Sequence, residues 1–250
     1  MSGHSKWSTI KHKKAAKDAK RGKLFTKLIR EITVAARMGG SGDPDFNPRL
    51  RLAVASARAQ SMPADNIDRA IRKGIGEGVG AIFEEASYEG YGPGGVAILV
   101  SVLTDNRNRT VAEIRNAFGK NGGHLGESGC VNYLFNHRGV ILVERDAADE
   151  ECLMEMALEA GALDVAESPE GFEITTAPEA LLGVREALER ALVVMASAEL
   201  THVPMTTISV PAEAAGQLAA LIDLLEDNDD VQSVVSNAVF AEEAVRRAAS

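Results

Sequence analysis

The side chains best suited to chemistry in this sequence are cations, and they crowd at one end. Residues 11–27 read KHKKAAKDAKRGKLFTK; eight of these seventeen are Lys or Arg, and Asp18 alone is acidic. A dense run of ammonium and guanidinium groups suits a phosphate backbone. Each phosphate neutralised releases a condensed counterion, which gives affinity and salt dependence but no base readout. At about 100° per residue on a helix, Lys13, Lys14, Lys17, Lys20 and Arg21 fall within one arc of about 120°. Ala15, Ala16 and Ala19 form a narrow stripe opposite. Such a helix buries little, and its like charges repel at i,i+3 and i,i+4, so a polyanion would steady it. The alternative is a solvated lysine face, and the scarcity of interleaved acids argues against it. We therefore expect nucleic-acid contact through Lys6, Lys11, His12, Lys13, Lys14, Lys17, Lys20, Arg21, Lys23 and Lys27.

A second candidate is TDNRNRT at 104–110, between an apolar run and a helical pattern. Arg107 and Arg109 would stand beside the unsatisfied N–H groups of a helix start, a position suited to an anion or RNA phosphate. A turn in which Asp105 and Asn106 satisfy the backbone accounts for the same residues equally well. Trp7, the single tryptophan, could stack on an unpaired base, although packing on the helical domain is the better reading. GYGPGG at 90–95 matches GxGxxG in letters only. A β-type run follows the glycines where a dinucleotide site needs a helix. The five histidines, at 4, 12, 124, 137 and 202, form no HExxH, no serine sits in GxSxG, and no GxxxxGK[ST] occurs. No catalytic, metal or cofactor site is expected, and the chain does not read as an enzyme. Cys130 and Cys152 lack CxxC context and sit among apolar residues, which predicts buried, unreactive thiols in a reducing compartment.

These cations belong to an acidic protein. The 250-residue chain has a formal charge of −9. Residues 1–75 hold 17 Lys+Arg against 6 Asp+Glu, a net of +11, while 76–250 hold 10 against 30, a net of −20. The split describes a basic module for a polyanion joined to an acidic body that would not bind one. The strongest apolar run, VAILVSVL at 96–103, falls far short of the roughly 20 residues that cross a bilayer. The lysine-bearing N-terminus has no apolar h-region, so a cytoplasmic location without membrane attachment is expected.

The elements that must position the cations follow from periodicity. After a first helix in the lysine stretch, Leu24, Phe25, Leu28, Ile29, Ile32, Ala35 and Ala36 form an apolar stripe over about 24–38, stopped by Gly39 and Gly40. Asn47 caps a third helix with Pro48 at its first position and Leu50, Ala53, Val54 and Ala57 facing inward. Pro63 starts a fourth helix carrying Ile67, Ala70 and Ile71 to Gly74. GIGEGVG at 74–80 reads as a hinge.

Strands and helices then alternate. GVAILVSVL is a buried strand. Thr110 and Glu113 read as a capping box for a helix through Phe118, stopped at Gly122 and Gly123. CVNYLF and GVILVE are strands, with a helix from Asp149 to Ala160. FEITT is a strand, and Thr176 with Glu179 suggests a second capping box for a helix at 178–194. TTISVP, a helix from Pro211 to Leu225, and VQSVVSNAVF as a closing strand complete the chain. The fold class is α+β: a helical domain and two small sheets covered by helices.

Several long stretches resemble the YebC family, also called YebC/PmpR, of probable transcriptional regulators. They are GHSKWSTIKHKKAAKDAKRGKLFTKLIREITVAAR at 3–37, YEGYGPGGVA at 88–97, TDNRNRTVAEIR at 104–115, GGHLGESGCVNYLF at 122–135 and DDVQSVVSN at 229–237. The similarity runs over essentially the whole chain. It implies a basic helical domain (1–75) and an α/β domain (76–136 with 203–250) interrupted by an inserted α/β domain (137–202). It also implies a DNA-binding regulator of transcription. Relatives are linked to translation as well, so the alternative is a ribosome-associated factor that binds rRNA and relieves stalls at proline-rich sequences. Basic ribosomal proteins would then be candidate partners for the acidic domains.

Overall fold

The apolar periodicity of the first third of the chain becomes three helices in the computed structural model, which describes residues 17–76, 82–168 and 170–240, and only the backbone over 17–21. They are α1 (Lys17–Met38), α2 (Pro48–Ala59) and α3 (Ala64–Gly74). Helix α1 runs unbroken for 22 residues, so the two helices expected on either side of residue 24 are one from Lys17 onward. Gly22 costs only about 1 kcal/mol against Ala inside a helix, and the Lys, Arg and Leu around it are good helix formers. Asn47 caps α2: its Oδ1 accepts from Leu50 N at 3.1 Å, and its Nδ2 donates to Ala35 O at 2.8 Å, tying the cap to α1. Ile32, Ala35 and Ala36 of α1 pack with Leu50, Ala53, Val54 and Ala57 of α2 and with Met62, Ile67 and Ala70. The hinge expected at 74–80 lies largely outside the described residues.

The next elements build a sheet of order β3-β1-β2-β9. Its strands are β1 (Glu84–Tyr91), β2 (Ala97–Thr104), β3 (His124–Leu125) and β9 (Val231–Ser236), and every pairing is antiparallel. The GYGPGG segment is the β1–β2 connection. Gly94 and Gly95 take φ of 76° and 74°, a left-handed conformation that glycine adopts without Cβ strain. Helices α4 (Arg107–Lys120) and α7 (Ala212–Glu226) share one core with the sheet, in which Ile98, Val100, Ile114, Phe118, Leu218 and Leu221 are buried. Each such side chain stabilises the fold by about 1.5–3 kcal/mol. Ala97 and Leu99 pack instead with Val131 and Phe135. Strand β2 is therefore covered on both faces, which is why it reads as a continuous apolar run.

Three expectations change here. The N-cap of α4 is Asn106, whose Oδ1 accepts from Arg109 N at 3.1 Å, and Thr110 is a buried residue inside the helix. CVNYLF is not a strand: Asn132–Leu134 is a 3-10 turn, and β4 (Phe135–Glu144) begins after it. The closing strand divides at Asn237, whose amide oxygen accepts from Ala97 N at 2.9 Å and whose carbonyl accepts from Ile208 N. Past that residue β10 (Ala238–Phe240) pairs in parallel with β8 (Ile208–Val210) as a separate two-stranded sheet.

Residues 136–203 form a compact unit of their own, and the described residues before and after them form another. The 136–203 unit has a sheet of order β5-β6-β4-β7, adding β5 (Ala162–Ser168), β6 (Gly171–Thr176) and β7 (Met195–Pro204), with α5 (Glu150–Glu159) and α6 (Leu181–Arg190). Asp149 caps α5 as expected. The expected Thr176 capping box is absent: Thr176 Oγ1 donates to Ala177 O, a 3-10 turn covers Pro178–Ala180, and α6 starts at Leu181. The thiols are less hidden than expected, with Cys130 half-buried and Cys152 exposed.

Candidate nucleic-acid interface

The basic helix α1 carries Lys23, Lys27 and Arg30 at i, i+4 and i+7, one side of a helix. Lys23 and Lys27 meet the C-terminal end of α7, where carbonyls lack intrahelical donors and the helix dipole is negative, and Arg30 meets the segment that follows it. Lys23 Nζ donates to Asp227 O at 3.1 Å and stands 3.7 Å from its carboxylate. Lys27 Nζ donates to Glu226 O at 2.6 Å. Arg30 Nη1 donates to Asp229 O and, at 2.8 Å, to Asp230 Oδ1.

Asp230 is the hub of this joint. Its side chain is only 4% exposed. Arg109 Nη2 lies 2.6 Å from Oδ2, and the hydroxyls of Thr110 and Thr104 lie 2.7 and 3.1 Å from the same oxygen. Burial alone would raise this carboxyl's pKa, but the hydrogen bonds of Arg109, Thr110 and Thr104 outweigh it and hold the group below the usual range. Thus TDNRNRT, DDVQSVVSN and the basic helix converge on one carboxylate. A second buried carboxylate does similar work. Glu89 accepts from the backbone N–H groups of Gly129, Val131 and Asn132 at 2.7–2.8 Å, winding GESGCVN around YEGY. Burial pushes its pKa up as well, and the three N–H groups bring it down below the ordinary value.

Helix α2 is tied into the same unit. Arg49 grips Glu31 of α1 with two nitrogens, at 2.8 and 3.2 Å, and pairs with Glu85 of β1. Arg30 and Lys73 both stand over the Phe83 ring, at 5.2 and 5.6 Å from its centroid. The helical bundle is joined to the sheet through cations on its inner side.

The expected contact residues therefore fall into three groups. Lys6, Lys11, His12, Lys13 and Lys14, together with Trp7, lie outside the described residues. Lys17, Lys20 and Arg21 occupy the first turns of α1, where the backbone alone is described. Lys23, Lys27, Arg107 and Arg109 all have partners within the protein. Arg107 Nε is 3.1 Å from Glu84 Oε2, and Arg109 bridges Asp105 and Asp230. Of the two readings of TDNRNRT, the turn is present, since Asn106 caps the helix and its neighbouring arginines are engaged. Sequence reasoning missed Asp230 and Glu89. Their acidity was visible, but only the fold shows that two or more cations or N–H groups close on each.

Among the described residues no group of three or more His, Cys, Asp or Glu is arranged to hold a metal ion. No described helix is long and apolar enough to cross a membrane.

Comparison with known proteins adds a context that geometry alone does not supply. Residues 5–77 match the model of the TACO1/YebC protein N-terminal domain, and residues 83–238 match that of the TACO1/YebC second and third domain. A protein of Geobacter sulfurreducens named a probable transcriptional regulatory protein is 58% identical over 237 residues, 95% of each chain. One of Persephonella marina with the same name is 55% identical over 249 residues, 99% of each chain. The crystal structure of a conserved hypothetical protein from Aquifex aeolicus superposes with a TM-score of 0.83 at 50% identity, covering 90% of this chain and 93% of that one.

Proposed function

This chain belongs to the TACO1/YebC family, whose similar members are named as regulators of transcription, and from that premise we propose that it is a cytoplasmic, non-enzymatic regulator that binds duplex DNA through its helical domain. The observation that carries the reading is the charge partition, +11 on residues 1–75 against −20 on the rest. A polyanion is attracted to one and repelled by the other. The geometry supports a division of labour along the basic segment. Lys23, Lys27 and Arg30 fasten α1 to the end of α7. Lys6, Lys11, His12, Lys13, Lys14, Lys17, Lys20 and Arg21 precede that anchor and contact phosphates. These contacts position the protein without reading sequence. Arg109, held by Asp230, serves the joint in place of a phosphate.

Crosslinking in cells, followed by sequencing of both the DNA and the RNA recovered with the protein, tests this reading. It predicts enrichment of discrete DNA segments upstream of transcribed units. Recovery dominated by ribosomal RNA, with DNA at background, would overturn it in favour of the ribosome-associated alternative.

A further inference from the structure

Helices α2 and α3 are joined by only four residues, Gln60 to Pro63. The reversal depends on Ser61, a non-glycine residue at φ 57°. A left-handed Ser is strained because its Cβ crowds the following carbonyl oxygen, and here it accompanies a closely pinned turn. Ser61 N donates to Arg58 O at 2.8 Å and Met62 N to Ala57 O at 3.0 Å, and the Met62 side chain drops into the core. On either side the inward residues are regular: Ala53, Val54 and Ala57 before the turn, Ile67, Ala70 and Gly74 after it. Helix α1 packs across both through Ile32, Ala35 and Ala36. Two helices joined by a three- or four-residue turn with a left-handed position, backed by a third helix, have the connectivity of a helix-turn-helix.

From this we infer that α2, the turn and α3 form a helix-turn-helix, and that α3 is a reading helix for the major groove of duplex DNA. The inference rests on the nucleic-acid-binding function proposed above and assigns the base-reading element within it. The exposed residues of α3 are those such a helix needs. Ala64 and Asp65 stand at its start, and Asp65, Asp68, Arg69 and Arg72 follow at i, i+3, i+4 and i+7 along one outward stripe. N-terminal and outward residues of the second helix are the ones that meet base edges. Their chemistry fits that place, since Arg reads guanine O6 and N7, and Asp accepts from the cytosine amino group. In the free protein Arg69 Nε donates to Asp65 O at 3.1 Å and Nη2 to Asn66 Oδ1, and a guanine edge would replace these contacts in order to take two guanidinium nitrogens. The cations that precede Lys23 supply phosphate affinity, and α3 supplies discrimination.

The test is selection of binding sequences from a random duplex DNA pool by the full-length protein at about 150 mM salt, where non-specific binding is weak. Affinities of the parent, Arg69→Ala and Arg69→Lys are then measured on the selected duplex and on a scrambled one. The expected result is a recurrent sequence containing guanine. Arg69→Ala should lower its preference over the guanine-substituted duplex by about 5- to 150-fold, the range of one bidentate base contact. The salt slope of binding should stay unchanged, and Arg69→Lys should retain part of the preference. Arg69 is exposed, so its thermal transition should match the parent's. If it does not, Arg72→Ala and Asp68→Ala carry the same test. A preference untouched by every α3 variant overturns the inference. So does duplex binding with no sequence enriched, which would leave the proposed nucleic-acid binding standing. Failure to bind duplex DNA at any salt overturns both.

Discussion

Two buried carboxylates organise the unit that contains the basic helix, and each is defined by what donates to it. Asp230 faces Arg30, Arg109, Thr104 and Thr110, and Glu89 faces three backbone N–H groups. Removing one partner of a buried ion pair leaves uncompensated charge and costs about 3–5 kcal/mol. Asp230→Ala should lose stability of that order in urea unfolding at pH 7, with the midpoint shifted and the slope unchanged. The pH dependence has a definite sign. Both carboxyls sit below their ordinary pKa when folded, so the unfolded chain takes up protons first. Their contribution is complete above the ordinary carboxyl range and drains away as pH falls below about 4. The gap between parent and Asp230→Asn should therefore narrow between pH 5 and the acid end, and a gap that stays constant would contradict the assignment. Ser61 gives the opposite kind of prediction. Ser61→Gly relieves a left-handed φ and adds unfolded-state entropy, so the two nearly cancel. The thermal midpoint should rise slightly or stay put, and a fall of several degrees would show that the Ser61 side chain does more than tolerate the turn.

At the scale of elements, periodicity read best where one face alone is buried. The stripe over Ile32, Ala35 and Ala36 and the inward set Leu50, Ala53, Val54 and Ala57 were visible in the sequence and are buried as expected, and Asn47 caps α2 ahead of Pro48 as expected. Reading failed where tertiary contacts override local signals. Thr110 looks like a cap three residues before a Glu, but the Asp230 carboxylate draws its hydroxyl into the core. CVNYLF has strand composition, yet Glu89 gathers the N–H groups of Val131 and Asn132 and bends that segment into a turn. Strands β5 and β7 were missed because they are half-exposed edges carrying Asp164, Glu167 and Glu199 among small residues. The packing of α3 on α1 can be tested at Gly74. A Cβ there would stand 2.5 Å from Thr33 O and 2.7 Å from the Ala36 Cβ, neither of which can swing aside. Gly74→Ala should cost about 1–3 kcal/mol, the usual penalty of overpacking, despite Ala's better helix propensity. A neutral or stabilising result in a chemical denaturation series would mean the two helices are not in that contact.

At the scale of the whole chain, function follows from the distribution of charge more than from any one site. The 136–203 unit holds 4 Lys+Arg against 15 Asp+Glu, so a phosphate backbone is repelled there and attracted to residues 1–75. The sequence showed that division directly. What it hid is that the cations of the basic segment serve two ends. Lys23, Lys27 and Arg30 are spent on the joint to α7 and on Asp230, while those before residue 23 are the proposed phosphate contacts. The account's central claim is that this amino-terminal segment is the phosphate contact. The most direct test is the salt dependence of duplex binding, measured by fluorescence anisotropy from 50 to 300 mM salt for the parent and for a variant with Lys13, Lys14, Lys17 and Lys20 changed to Gln. Each phosphate contact contributes about 0.9 to the slope of log affinity against log salt. The account predicts a slope shallower by about three to four units in the variant, and no shallower slope when Glu151 and Glu155 of α5 are changed to Gln. An unchanged slope in the lysine variant would contradict it.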